Sequence, residues 1–171
     1  MPESDKGEKR TKETTAGSRG ATAFYLNPTG FKIQRALHIP IYRLTGGVIG
    51  HRIGPAKHLI LTVTGAKTGQ PRTTALTYER DGDNLIVVAS KGGVADHPYW
   101  YKNMLKNPEV EVQVKSHKGR YRARTATADE RPRLWKIMTK VYSGYDDYQR
   151  ATDREIPVVV LEPIDTGNAG S

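Results

Sequence analysis

Two short turns in this chain place cations beside glycine. The first is Gly65-Ala66-Lys67-Thr68-Gly69-Gln70-Pro71-Arg72, and the second is Ser90-Lys91-Gly92-Gly93. Glycines let successive backbone N–H groups converge on one point, and lysine or arginine adds positive charge, a combination suited to an anion. The aromatic cluster Tyr99-Trp100-Tyr101 follows the second turn and suits a flat ring. The stretch from Leu59 to Asn103, which holds all three, therefore reads as a site for a planar ligand with an acidic appendage. Taken singly, Lys67 and Arg72 are ordinary surface charge at a strand end. The repetition of the arrangement around Lys91 raises the functional reading. Trp100 and Tyr101 equally suit a core beneath a barrel. Tyr142, Tyr145 and Tyr148, at steps of three, suit either one packed helix ridge or a pocket wall of rings and phenols.

Other chemistries find little support. The histidines at 38, 51, 58, 97 and 117 show no metal-ligand spacing, and there is no cysteine to assist them. Ser90 lies in ASKGG, which is not the GxSxG elbow of a serine nucleophile. No carboxylate pair stands out, and Asp146-Asp147 reads as a solvated turn. The loop Gly46-Gly47-Val48-Ile49-Gly50 lacks both the spacing and the preceding strand of a dinucleotide fingerprint. An enzyme so poor in reactive side chains would leave the hard chemistry to a cofactor.

The charge points the same way. The chain has 171 residues and a net charge of +9, yet between Glu13 and Glu79 there is no acidic residue at all. That interval carries Arg19, Lys32, Arg35, Arg43, Arg52, Lys57, Lys67 and Arg72, while the remainder is close to neutral. A one-sided block of this kind predicts an acidic partner: a polyanionic ligand, a membrane surface or nucleic acid. No run approaches the ~20 apolar residues of a membrane span, and the polar N-terminus is unlike a signal peptide, so the expected location is cytoplasmic.

The elements that must position these residues follow from pattern. Residues 1–22 and 165–171 are polar and nearly free of large apolar groups, and are expected to be disordered tails around a domain at 23–164. Ile33, Leu37, Ile41 and Leu44 fall at helical spacing within a basic helix over 28–44, with Pro40 expected to kink or end it. Such a helix can lie on an anionic membrane, but packing of its apolar stripe on the domain is the favoured expectation. Strands are expected at 58–64, 73–80, 84–90, 110–114, 121–125 and 156–161, with hairpins at Asp81-Gly82-Asp83 and at Ser116-His117-Lys118-Gly119. Between them lie a helix after Pro98, capped by Asp96 or His97, and a second after a Thr127–Glu130 capping box, with Leu134, Ile137, Met138 and Val141 on its core face. About six antiparallel strands with few crossovers predict a mainly β (α+β) fold, a closed or split β-barrel with peripheral helices.

Four runs in order resemble the deazaflavin-dependent nitroreductase family, and within it the quinone reductases dependent on reduced coenzyme F420. They are TVTGAKTGQPRTTAL, DGDNLIVVASKGG, HPYWYKNMLKNPEVEVQV, and VYSGYDDYQR with IPVVVLEP. The likeness spans about residues 57–163 and is weaker in the preceding helix. It implies a split β-barrel reductase whose coenzyme carries a phosphodiester and an oligoglutamate tail, the acidic partner that the basic block calls for. By this resemblance Lys67, Thr68 and Arg72, with Thr73, Thr74, Ala75, Leu76 and Thr77, hold the phosphate and tail. Val88, Ala89, Ser90 and Lys91 lie along the deazaflavin, as do Tyr99, Trp100, Tyr101, Lys102 and Asn103. Tyr142, Tyr145 and Tyr148 border the substrate together with Thr77, and Tyr145 also meets the coenzyme. Thr77 stands where family members that reduce bicyclic nitroimidazoles can have tyrosine, so that substrate is not carried over.

The implied reaction is hydride transfer to a quinone, an activated alkene or a nitro-compound. Ser90 and a tyrosine, Tyr145 ahead of Tyr142, are expected to donate hydrogen bonds to the oxygen that gains charge. Two rivals remain at this level. One is the same barrel loaded with FMN; the other is a non-enzymatic basic domain on membrane or nucleic acid. Nucleic acid is not expected, because the cations bracket glycine turns and line no single face.

Overall fold

The computed structural model describes residues 37–164. In chain order these form α1 (Ile39–Leu44), β1 (Arg52–Ile53), β2 (Ala56–Thr64), β3 (Pro71–Asp81), β4 (Asn84–Val88), a 3-10 turn (Lys91–Gly93) and α2 (Tyr99–Lys106). There follow β5 (Glu109–Val114), β6 (His117–Thr125), α3 (Arg131–Val141), α4 (Gly144–Arg150) and β7 (Val158–Pro163). The tails expected at 1–22 and 165–171, and the helix expected before residue 37, lie outside the described residues.

All strand pairs are antiparallel, in the order β1-β2-β3-β4-β7-β6-β5, and β5 pairs back onto β2. Six strands thus close a barrel, as expected, and the two-residue β1 is an addition that the sequence reading missed.

The alternation of side chains explains both layers of core. Leu59, Leu61 and Val63 of β2, Leu85 and Val87 of β4, Val110 and Val112 of β5, and Val159 and Leu161 of β7 fill the barrel, joined by Trp100, Tyr101 and Met104 from α2. The alternate residues Ile86 and Val88, with Val158 and Val160, point outward, where Leu134 and Met138 of α3 and Tyr145 of α4 cover them. β4 and β7 are therefore apolar on both faces and read as continuous Val/Ile/Leu runs.

Strand β3 behaves differently. Its ladder to β2 runs from Pro71 to Thr77, whereas its ladder to β4 covers only Tyr78 to Asp81. From Thr73 to Thr77 every residue is half-buried, neither in the core nor in solvent. The β4 side of this stretch has no strand neighbour among the described residues, which is the split in the barrel.

Several boundaries differ from expectation. Pro40 sits in the first turn of α1, where its missing N–H costs nothing, and does not end the helix. The packed residues of α1 are Ile39 and Tyr42, while Leu37, Ile41 and Leu44 are exposed, so the predicted apolar stripe faces away from the barrel. The cap of α2 is Pro98, without a side-chain hydrogen bond, because Asp96 is held by lysines instead. The β5–β6 hairpin turns one step early, at Lys115-Ser116, with Lys115 in the left-handed region at φ 54°. The capping box is present: Thr127 N–H donates to Glu130 Oε2 at 2.9 Å, and Glu130 N–H donates to Thr127 Oγ1 at 3.3 Å.

Candidate functional site

The first cationic turn closes tightly on itself. Gly65 N–H donates to Gln70 O at 2.9 Å and Gly69 N–H to Gly65 O at 2.8 Å. A Cβ on Gly65 would stand 3.0 Å from both Gln70 O and Thr68 Oγ1, and Gly69 adopts φ 68°, so both positions favour glycine. Lys67 and Arg72 are exposed on this turn. Because opposed residues share a face, Arg72, Thr74 and Leu76 lie on the barrel side with Val63, Leu61 and Leu59; Thr73, Ala75 and Thr77 lie outside with Thr62, Ile60 and His58.

Helix α2 carries this turn to the second one. Asn103 Oδ1 accepts from Ala66 N–H at 3.1 Å, which pins the first turn to the helix. Tyr99, four residues before Asn103 and three before Lys102, lies on the same face. Lys102 Nζ meets Asp96 Oδ1 at 2.6 Å and Lys91 Nζ meets Asp96 Oδ2 at 3.6 Å. Both lysines also stand over the exposed Tyr99 ring, at 5.5 and 5.7 Å from its centre. The Lys102 ammonium, with Lys91 beside it, holds the Asp96 carboxyl below the usual carboxylate range. The opposite face of α2 buries Trp100, Tyr101 and Met104, and Tyr101 Oη lies 2.9 Å from Thr125 Oγ1. Trp100 and Tyr101 are thus core aromatics behind the site, the alternative raised for them from sequence, and Tyr99 is the open ring.

The second turn has unusual backbone. Lys91, Gly92 and Gly93 have φ of 47°, 66° and 79°, three left-handed residues in succession. A Cβ on Gly93 would lie 2.7 Å from Tyr148 O, so the turn sits directly against α4. Tyr142, Tyr145 and Tyr148 form one cluster there, with ring centres 5.2 to 6.3 Å apart and the hydroxyls of Tyr142 and Tyr148 3.1 Å from each other. Tyr145 is buried in the outer core beside Val88, and Tyr142 and Tyr148 are half-buried. Packed ridge and phenolic wall are both descriptions of this cluster.

Two groups were not singled out as site residues by sequence reasoning. Arg154 reaches back to the second turn and donates to Ser90 O at 2.8 Å, Val94 O at 2.9 Å, Ala89 O at 3.3 Å and His97 Nδ1 at 3.2 Å. Nothing local in TDREIPVV marks that role. The second is a histidine cluster on the outer face of β2. His58 Nε2 lies 3.3 Å from Thr77 Oγ1, and Tyr42 Oη lies 3.2 Å from His51 Nδ1 and donates to His58 O at 3.0 Å. Burial, reinforced by the nearby His38 ring, pushes His58 down to about 4. The Thr77 hydroxyl is thus engaged on the outer face.

Lys67, Arg72, Asn103, Lys102, Tyr99, Lys91 and the three tyrosines therefore fall along one continuous path (first turn, α2, second turn, α4), whereas Trp100 and Tyr101 lie behind it and the Thr77 hydroxyl faces outward. Cations border it at both glycine turns, and the open edge of β3 offers backbone groups that need partners. An acidic, planar ligand fits such a path.

The comparisons agree with the class that this geometry defines, a barrel reductase holding an acidic ring coenzyme. Residues 34–163 match the model of the F420H(2)-dependent quinone reductase family. An F420H(2)-dependent quinone reductase of Mycobacterium tuberculosis is 49% identical over 129 residues, 73% of this chain and 87% of that protein. A solved structure of an F420-H2 dependent reductase is 39% identical, covers 61% of this chain and 93% of that one, and has a TM-score of 0.58. A further solved structure, described only as a domain-swapped dimer, is 35% identical, covers 80% of this chain and all of that one, with a TM-score of 0.61. The chain belongs to the F420H(2)-dependent quinone reductase family. It is a reductase, its coenzyme is F420, and the FMN and non-enzymatic readings are not favoured.

Proposed function

We propose that this reductase reduces a quinone, at a site running from the open edge of β3 to the tyrosines of α4. The observation that carries the proposal is the single path linking both cationic glycine turns through Asn103 and Lys102 to the Tyr142–Tyr145–Tyr148 cluster. When bound, reduced coenzyme F420 supplies the hydride. The chain's residues bind, orient and shield. Lys67, Thr68 and Arg72 hold the anionic end, with the backbone of Thr73 to Thr77 as its rail. Val88 to Lys91 and the exposed face of α2 flank the ring. Ser90 and the tyrosines donate to the acceptor oxygen that gains charge, and the packed aromatic wall keeps water out. A flat quinone suits one phenol ring as a floor with the others, tilted by 47 to 87° to each other, as edges and hydroxyl donors, and nitro-compounds and activated alkenes are the other acceptors with a suitable oxygen or electrophilic carbon.

The test is to mix purified protein with reduced F420 and a panel of quinones, nitro-compounds and activated alkenes, following deazaflavin oxidation. Quinones are expected to be turned over fastest; a protein that oxidises F420 with nitro-compounds alone overturns the quinone assignment. Tyr145→Phe should lower turnover at least tenfold with coenzyme affinity nearly unchanged. Lost binding with normal turnover of the bound enzyme removes its role.

The finer reading of location is peripheral contact with a membrane, where quinones reside. Leu37, Leu44, Val48 and Ile49 are 58 to 87% exposed beside Arg43, an apolar patch with a cation at its rim. Flotation with anionic liposomes should retain the intact protein and lose a Leu44→Glu, Val48→Glu variant. Equal flotation of the two removes the idea.

A further inference from the structure

We propose that Arg154 is a positioning residue of this site: it draws the Ala89, Ser90 and Val94 carbonyls and His97 onto one guanidinium, and so aims the backbone N–H groups of the second turn toward the ligand. The inference rests on the reading that Ser90 and Lys91 border the coenzyme.

The geometry follows from the peptide unit. In a trans peptide the N–H points opposite to the C=O. The carbonyls of Ala89 and Ser90 both face Arg154, at 3.3 and 2.8 Å. The amide N–H groups of Ser90 and Lys91 therefore point away from it, toward the open side of the turn, where Ser90 is half-buried and Lys91 exposed. Ser90 is right-handed (φ −73°, ψ −42°) and Lys91 left-handed (φ 47°). That alternation makes successive N–H groups converge on an anion or a partially negative oxygen. Left-handed backbone at a lysine is costly and persists only where surroundings impose it. The planar fork of Arg154 is such an imposition, and a lysine could not reach the same acceptors at once.

The same cation fixes His97. Arg154 is a permanent donor, so Nδ1 of His97 accepts and the ring proton sits on Nε2. The ring then packs 5.0 Å from that of Tyr101. Among the described residues Arg154 has no salt bridge, an unusual state for a half-buried guanidinium. Its hydrogen bonds go to carbonyls and to His97, with the Asp96 carboxylate acting only through space, at the base of the turn where an acidic ligand is expected.

The test compares wild type with Arg154→Lys and Arg154→Gln. Three measurements are made: far-UV circular dichroism with thermal melting, amide hydrogen exchange over residues 89–97, and quenching of F420 fluorescence on binding. Both variants are expected to keep the barrel, to exchange segment 89–97 at least tenfold faster with barrel strands unchanged, and to bind oxidised F420 at least tenfold more weakly. Added guanidinium ion should restore part of the affinity to Arg154→Gln and none to wild type. Unchanged exchange over 89–97 in a folded variant overturns the proposal, as does wild-type coenzyme affinity. If neither variant folds, Arg154 belongs to the fold at large and the positioning role is wrong. If wild type itself binds no F420, the coenzyme reading fails, and the exchange result still decides whether Arg154 shapes the turn.

Discussion

The two sides of the barrel are built for different purposes. On the β4–β7 side both faces are covered, the ladder from Leu85 to Val88 is complete, and Ile86, Val158 and Val160 sit under α3 and α4. On the β2–β3 side the strand from Thr73 to Thr77 is half-buried on both faces and, among the described residues, lacks a strand neighbour toward β4. Each buried aliphatic side chain is worth roughly 1.5–3 kcal/mol, so the first side holds the fold together. On the second, β2 still buries Leu59, Leu61 and Val63, and it is Thr73 to Thr77 of β3 that forgo such burial and keep backbone groups available. The tyrosines of the proposed site belong to the covered side as well, so only at the open edge of β3 and the first glycine turn should a change touch binding and leave stability nearly untouched.

The largest effect is expected from a core truncation. Leu161→Ala, at a fully buried site, should cost about 2–5 kcal/mol by urea unfolding. Leu76→Ala on the open side should cost about 1 kcal/mol or less, since little is lost when a half-buried side chain shrinks. Equal costs would end the distinction.

Acid should find the one place where the open side is stability-critical. His58 is neutral in the fold down to about 4, whereas in the unfolded chain it takes up a proton near 6.5. Its contribution is therefore intact above pH 6.5 and is lost as pH falls from 6.5 toward 4, by roughly 3 kcal/mol in all. Urea unfolding of wild type and His58→Gln across this range should show the steeper acid loss in wild type. Parallel curves would rule out His58 as its source.

Next come the cations. Lys67→Ala and Arg72→Ala should each weaken F420 binding about tenfold, or about 1.4 kcal/mol, while changing unfolding free energy by less than about 0.5 kcal/mol. A destabilised but fully binding variant would reverse the assignment of the two sides. The smallest effect should follow removal of an internal competitor. Asp96 occupies Lys91 and Lys102 as an acidic ligand would, so Asp96→Asn should bind the coenzyme a few-fold more tightly, with steeper salt dependence. Weaker binding would show that Asp96 supports the site.

The covered side was legible from sequence to within two residues at each strand end, because short continuous apolar runs such as Leu85 to Val88 and Val158 to Leu161 suit strands buried on both faces. The cationic turns were equally readable, since glycine beside lysine or arginine is a local signal. What escaped was long-range. Arg154 acts on carbonyls some sixty positions away, and backbone acceptors leave no mark on side-chain pattern. The apolar spacing of Leu37, Ile41 and Leu44 was real, but Tyr42 claimed the buried face because its hydroxyl reaches His51, His58 and the Lys115 N–H at once. Trp100 and Tyr101 were ambiguous for the same reason: an aromatic ring serves a core or a ligand equally well, and only the turn of α2 decides.

Gly93 has nothing but its own hydrogens between its Cα and the carbonyl of Tyr148. The tyrosine helix and the lysine turn consequently meet without slack, like two stones set with no mortar. The helix cannot be brought any nearer to the turn, because backbone already meets backbone there. If the proposed acceptor site is right, a narrower space for the acceptor has to come from the phenols themselves, one ring at a time.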